Sequence, residues 1–180
     1  PWRLALGYVG YVIFHVFGFG LFYIGVILFA AFAVAHFAFD YYQKFDDNRE
    51  EFFILLLLGT LGGAVLCISN HFLSLFLGLE LLSIPLYAMI AYTYRRGNSL
   101  EAGIKYLLLA AASSAFLLFG MALIYAELGS MDFDVIAANY AATKGALNPA
   151  LLLTGLALFI SGVAFKLSLV PFHWWTPDIY

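Results

Sequence analysis

The chain has 180 residues, of which 64% are hydrophobic and 11% are charged, and its mean hydropathy is +0.96. Soluble domains are about half apolar and about a quarter charged, and a soluble fold of this length has too little interior to hide so much apolar surface. The net charge of −3 comes without a basic stripe or tail, which argues against a nucleic-acid partner. The composition therefore predicts an all-α integral membrane protein that lies in a lipid bilayer.

Long apolar runs follow one another along the chain. A transmembrane helix needs about 20 mostly apolar residues, and the predicted spans are 18–39, 52–69, 72–94, 99–127 and 149–170. We interpret 1–180 as a single membrane domain, in which the segment 1–17 fits either the end of a preceding helix or a surface segment. Because the chain begins at Pro1 without a Met and stops at Tyr180, shortly after a Trp-Trp-Thr-Pro run, we expect it to be a fragment of a longer protein.

Polar connections separate the runs. The link 40–51 carries seven charges, and a basic turn with Arg95 and Arg96 follows the third run. Asn98 is predicted to be the N-cap of the fourth helix, with Glu101 completing a capping box. The chain shows no internal repeat.

Glu80 lies deep within the third run, roughly 12 Å from one membrane face and roughly 21 Å from the other at 1.5 Å per residue. A charge at the centre of a span costs at least about 2.5–3.5 kcal/mol, so such a residue indicates a functional site. Pro85 withholds a donor from the carbonyl of Leu81 and is expected to kink the helix. A carbonyl without its helical donor, close to the Glu80 carboxylate, can bind water or take part in carrying a proton. The alternative is a structural ion pair or a hydrogen-bonded neutral acid.

Lys105 lies roughly 9 Å inside the fourth run at the same rise per residue. Its long side chain can also reach the membrane surface, which makes a purely structural role possible. A direct contact with Glu80 requires the helix ends to shift, whereas a link through water does not.

Lys166 lies near the end of the fifth run, and Pro171 is predicted to break the helix beyond it. An ionisable residue at a helix break is a recurring device of transporters. A buried lysine can release and regain a proton near neutral pH, and histidine, the residue type at His173, is a common proton carrier. The alternative is a lysine that anchors a helix end, since Trp174 and Trp175 are predicted to mark the membrane interface.

Cofactor chemistry has no sequence signal in this chain. Cys67 is interpreted as a packing residue, and no Cys and His spacing or Gly-rich loop indicates a metal, an iron–sulfur cluster or a nucleotide. Gly59, Gly62 and Gly63 in the second run are predicted to allow close helix packing. We therefore expect neither a cofactor nor a metal in this chain.

Three stretches carry a resemblance to a known family. GLELLSIPLY, which contains Glu80, is followed by SLEAGIKY, which contains Lys105, and then by FKLSLVPFHWWTPDIY, which contains Lys166 and His173. In this order they resemble the antiporter-like membrane subunits of respiratory complex I (NADH:quinone oxidoreductase), in particular bacterial subunit N. The resemblance implies part of an antiporter-like helix bundle of about five transmembrane helices, one of them broken near Pro171.

The resemblance also implies a function. The subunit would translocate protons while carrying no redox centre, with Glu80 coupled to Lys166, Lys105 as a basic residue of the half-channel, and Lys166 as the central proton-switching lysine. NADH, FMN, iron–sulfur clusters and quinone are implied for the whole complex, and its other membrane subunits are the implied partners. The implied location is the bacterial inner (plasma) membrane, with the mitochondrial inner membrane as the alternative.

Two other functions stay open. The chain could be a subunit of a multi-subunit cation/proton antiporter or of a ferredoxin- or F420-linked relative. It could also be a structural membrane scaffold whose charges only hold helices together, because buried ion pairs can serve specificity rather than function.

Overall fold

The structure is a computed structural model that describes residues 18–42, 49–92, 98–143 and 147–179. Its helices are α1 (Gly18–Tyr42), α2 (Arg49–Cys67), α3 (Phe72–Ala91), α4 (Ser99–Leu128), α5 (Phe133–Ala142), α6 (Pro149–Lys166) and α7 (Thr176–Ile179). Helices α1, α2, α3, α4 and α6 are long and apolar enough to cross a membrane. The predicted all-α fold with five spans is confirmed, and the protein is a multi-pass membrane protein. The segment 1–17 and the basic turn with Arg95 and Arg96 lie outside the described residues.

Two compact units divide the chain. The first comprises the described part of 1–69 together with Leu77–Pro85, and the second comprises Asn70–Phe76 and the described part of 86–180. Helix α3 therefore contributes its middle to the first unit and both its ends to the second.

Small residues bring the helices of the first unit together. A Cβ atom on Gly20 of α1 would lie 3.0 Å from the carbonyl oxygen of Cys67 at the far end of α2, so these two helices run antiparallel. A Cβ atom on Gly62 would lie 2.6 Å from the backbone carbon of Leu81, so α2 and α3 touch through their backbones. The close packing predicted for the glycines of α2 is confirmed at Gly62.

The second unit is built on a close crossing of α4 and α6. A Cβ atom on Gly120 would lie 2.5 Å from the backbone nitrogen of Phe159 and 2.7 Å from the carbonyl oxygen of Gly155. Further along the crossing, Leu117 is completely buried, and the buried hydroxyl of Ser113 donates to the carbonyl oxygen of Gly162 at 2.9 Å. In a membrane, where lipid competes for apolar contact, close backbone approach and buried hydrogen bonds hold helices together.

Side chains cap the N-termini of several of these helices. The carboxylate of Asp132 accepts from the backbone N–H groups of Asp134 and Val135 and caps α5, and the amide oxygen of Asn148 caps α6. His71 caps α3, since its Nδ1 accepts from the N–H of Leu73 at 3.1 Å. Each cap satisfies donors that the first turn of a helix leaves without a partner.

The capping box predicted at the start of α4 is wrong. Asn98 makes no side-chain cap hydrogen bond there. The carboxylate of Glu101 instead contacts Nζ of Lys105 at 2.9 Å. A glutamate four residues before a lysine is well placed for an ion pair on one helix face, and this pairing competes with the capping role of Glu101.

A short backbone bridge ties the turn before α3 to the loop before α5. The N–H of Phe72 donates to the carbonyl of Met131 at 2.8 Å, and the N–H of Phe133 donates to the carbonyl of Asn70 at 3.1 Å. The Asn70 amide also donates to the Asp134 carboxylate at 2.9 Å. This bridge fixes the position of α5 within the second unit.

We expect Asp132→Ala to destabilise α5 by about 1 kcal/mol, because the two capped N–H groups lose their acceptor. Hydrogen–deuterium exchange of the full-length subunit in its membrane complex would show faster exchange at Asp134 and Val135. Asp132→Asn is the control, because its amide oxygen can still accept these bonds. Equal exchange in the Ala and Asn variants would contradict the capping role.

Candidate functional site

Glu80 lies in the middle of α3, in the first unit. It is eight residues from Phe72 and eleven from Ala91, or roughly 12 and 17 Å along the helix axis. Glu80 is partly buried. Its position far from both helix ends is the one expected from the sequence.

The helix that carries Glu80 continues through Pro85. α3 is a single helix from Phe72 to Ala91, and Pro85 is almost fully buried against α2, where a Cβ atom on Gly59 would lie 3.9 Å from its side chain. Two residues before Pro85, the hydroxyl of Ser83 donates to the carbonyl of Leu79 at 2.7 Å. Because proline has no N–H, Pro85 cannot donate the helical hydrogen bond that the carbonyl of Leu81, four residues earlier, would otherwise accept.

Lys105 lies near the start of α4, in the second unit, and is half-exposed. Its side chain is 43% exposed and that of its partner Glu101 is 63% exposed. Sequence reasoning considered Lys105 in relation to Glu80 and missed Glu101. The spacing of four residues between Glu101 and Lys105 is the signal that could have identified this pair.

Lys166 is the last residue of α6. The predicted helix break is present, but it begins at Leu167, four residues before Pro171. The N–H of Ser168 donates to the carbonyl of Phe165 at 3.0 Å, and the N–H of Leu169 donates to the carbonyl of Ala164 at 2.9 Å. These two bonds form a Schellman motif, in which Ser168 takes the left-handed conformation (φ 53°) usual for glycine. The helix therefore ends through this turn rather than through Pro171.

Beyond the break, the chain folds back onto α4 and α6. The indole of Trp175 stacks on Tyr106 of α4, with ring centroids 4.7 Å apart, and on Phe165 of α6 at 5.2 Å. Its Nε1 donates to the carbonyl of Phe165 at 3.3 Å. Trp175 is 8% exposed and packs against the protein, whereas Trp174 is 77% exposed; the membrane-interface position of both stays a prediction.

His173 lies within this folded-back segment. Its Nδ1 is buried and has no hydrogen-bond partner among the residues that the structure describes. Buried polar atoms normally have a partner, so such an atom needs an explanation in terms of function or bound solvent.

The structure thus connects part of the predicted site. Tyr106 follows Lys105 in sequence and Phe165 precedes Lys166, and Trp175 stacks on both of these aromatic rings. Lys105, Lys166 and His173 all belong to the second unit, whereas Glu80 belongs to the first. Sequence reasoning missed Trp175 and Ser113, because nothing local distinguishes Trp175 from Trp174 or Ser113 from other serines in apolar helices.

A membrane helix that is interrupted next to an ionisable side chain is a feature that recurs in transporters. The family described as NADH:quinone oxidoreductase/Mrp antiporter, transmembrane, matches residues 69–180. The chain belongs to this family.

Two solved structures are similar to this chain. A chain of respiratory complex I from Thermus thermophilus with bound aureothin is 36% identical, with a TM-score of 0.67 over 88% of this chain and 34% of that chain. A chain of the membrane-bound sulfane sulfur reductase, an archaeal respiratory membrane complex, is 30% identical, with a TM-score of 0.75 over 90% of this chain and 32% of that chain. The expected antiporter-like fold is confirmed, and this chain spans about a third of the length of the chains that it matches.

Proposed function

We propose that this chain is part of a proton-translocating membrane subunit of an NADH:quinone oxidoreductase in a bacterial plasma membrane. The subunit moves protons while NADH oxidation and quinone reduction occur elsewhere in the complex, with NADH, FMN, iron–sulfur clusters and quinone held by its partner subunits. The observation that carries the proposal is the position of Lys166 at an interrupted membrane helix in a chain of this family. The sequence identity is 36% to the Thermus complex I chain and 30% to the archaeal reductase chain, and this difference supports the complex I assignment.

The helix break gives Lys166 a physical basis for this role. Non-helical backbone at membrane depth is tolerated only where it is buried in protein or lines a water-filled cavity. The carbonyl end of a helix also carries partial negative charge, which favours a cation there. The helix end therefore accommodates the charged lysine, and the proposal adds that Lys166 passes its proton to water or to a neighbouring group.

In this mechanism, Glu80 is the acidic partner whose charge is coupled to that of Lys166. A carboxyl group far from both ends of a membrane helix exists at low cost only when it is neutral or compensated by a positive charge. Lys105 is the basic residue on the same proton path, and His173, which follows Lys166 in the chain and has a buried Nδ1, is a further candidate for that path.

A second candidate function is ion transport in a related complex. The family description includes Mrp antiporters, and the archaeal sulfane sulfur reductase chain has a TM-score of 0.75. Purifying the full-length subunit with its partners distinguishes the two. Co-purification of an NADH-oxidising, quinone-reducing activity supports complex I, and co-purification of membrane subunits without that activity supports the antiporter or reductase type.

We expect Glu80→Gln to lower the number of protons translocated per electron while leaving assembly intact, because the amide keeps the shape of the side chain but cannot ionise. The measurement is acidification of sealed membrane vesicles during NADH oxidation, with the full-length subunit in its complex.

The matched control is Glu50→Gln, since Glu50 is exposed in the first turn of α2. It should leave both pumping and assembly unchanged. If the Glu80→Gln complex assembled and pumped normally, the role proposed for Glu80 would be wrong. If it failed to assemble, the structural scaffold would be the better explanation.

A further inference from the structure

The last turn of α6 receives two hydrogen bonds from side chains outside the helix. The hydroxyl of Ser113 donates to the carbonyl of Gly162, four residues before Lys166, at 2.9 Å. Nε1 of Trp175 donates to the carbonyl of Phe165, the residue directly before Lys166, at 3.3 Å. The turn that carries Lys166 is therefore held from the α4 side and from the segment beyond the break.

Trp175 is itself fixed in place. Trp175 is 8% exposed, and its ring is nearly parallel to the rings of Tyr106 (16°) and Phe165 (21°). The next residue, Thr176, donates from its hydroxyl to the hydroxyl of Ser168 at 2.9 Å. Two neighbouring residues thus bind both ends of the four-residue turn 165–168.

The turn needs such support. Ser168 has φ 53°, a conformation that costs a side-chain-bearing residue more than glycine and that persists when the surroundings hold it. The hydrogen bonds from Trp175 and Thr176 stabilise this turn, and their loss would make other conformations of the chain after α6 more favourable. The direction in which Lys166 leaves the helix end depends on the same backbone.

We propose that Trp175 is a positioning residue for Lys166: its indole holds the end of α6 through the Phe165 carbonyl and so aims the lysine along the proton path. This proposal rests on the proposed function, in which Lys166 carries protons. Proton transfer requires the two groups to be within hydrogen-bond reach, and a misplacement of about 1 Å can lower a rate by about two orders of magnitude.

The test uses Trp175→Phe in the full-length subunit within its complex, because phenylalanine keeps the aromatic stack and removes the N–H donor. Hydrogen–deuterium exchange reports the turn directly: we expect the amides of Ser168 and Leu169 to exchange about fivefold faster, as for the loss of one ordinary hydrogen bond. The protons translocated per electron should fall to a value between those of the unsubstituted complex and of Lys166→Ala. Trp174→Phe is the control, since Trp174 is 77% exposed, and it should change neither readout.

The outcomes separate this proposal from the proposed function. Unchanged exchange, or faster exchange with unchanged proton yield, would overturn the positioning role provided that Lys166→Ala lowers the yield. An unchanged yield in Lys166→Ala would instead overturn the proposed function. If Trp175→Phe does not assemble, Thr176→Val, which removes the bond to Ser168, is measured in its place with the same expected and contrary results.

Discussion

Replacing Lys166 with alanine is expected to abolish the proton translocation that passes through this subunit while the complex still assembles. Lys166 ends α6 beside non-helical backbone, and alanine removes the group that would take up and release the proton. The measurement is acidification of sealed vesicles during NADH oxidation, beside the amount of assembled complex.

Lys166→Arg makes this test sharper. Arginine keeps the positive charge but holds its proton at any physiological pH. If Lys166 carries protons, the arginine variant should assemble and fail to pump. If Lys166 only holds helices together, the arginine variant should assemble and pump normally, whereas the alanine variant should fail to assemble.

The second large effect is expected from Gly120→Ala. The new methyl group would lie 2.5 Å from the backbone nitrogen of Phe159 and 2.7 Å from the carbonyl oxygen of Gly155. Backbone atoms cannot turn aside as a flexible side chain can, so α4 and α6 must separate. We expect a loss of about 1–3 kcal/mol in the stability of the second unit, as for other overpacked interiors.

The amount of assembled complex and its dissociation temperature would report this loss. Gly25→Ala in α1 is the matched control, because a Cβ atom there would have nothing within 4 Å. It should be neutral or slightly stabilising, since alanine favours the helix over glycine. Equal stability of the Gly120 and Gly25 variants would contradict the close crossing of α4 and α6.

The residues of the candidate site differed in how readily they could be predicted. Glu80 and Lys166 were identified because a charge inside a long apolar run has a large energetic cost that depends only on its own position. The aromatic packing of Trp175 was not predicted, because tryptophan suits both the membrane interface and an aromatic core. The ion pair of Lys105 with Glu101 was not predicted, although Glu101 lies one turn away on the same helix; the link to Glu80 stays a prediction.

The position of the break in α6 likewise could not be predicted from the sequence. Pro171 was the visible signal, yet the helix ends at Lys166 through hydrogen bonds to the carbonyls of Ala164 and Phe165. Ser168 adopts a glycine-like conformation there, which no local preference of serine predicts. The turn depends on Trp175 and Thr176, which reach it only after the chain has folded back.

By itself, the sequence determined that this is a multi-pass, all-α membrane protein and that Glu80 and Lys166 lie at positions where charge is costly. These conclusions rest on transfer between water and lipid, which depends on composition and run length alone. Only the tertiary structure decided which side chains hold the end of α6 and where α4 crosses it. Those contacts join residues as distant in the chain as Ser113 and Gly162, 49 positions apart, and the backbone path between them decides whether they meet.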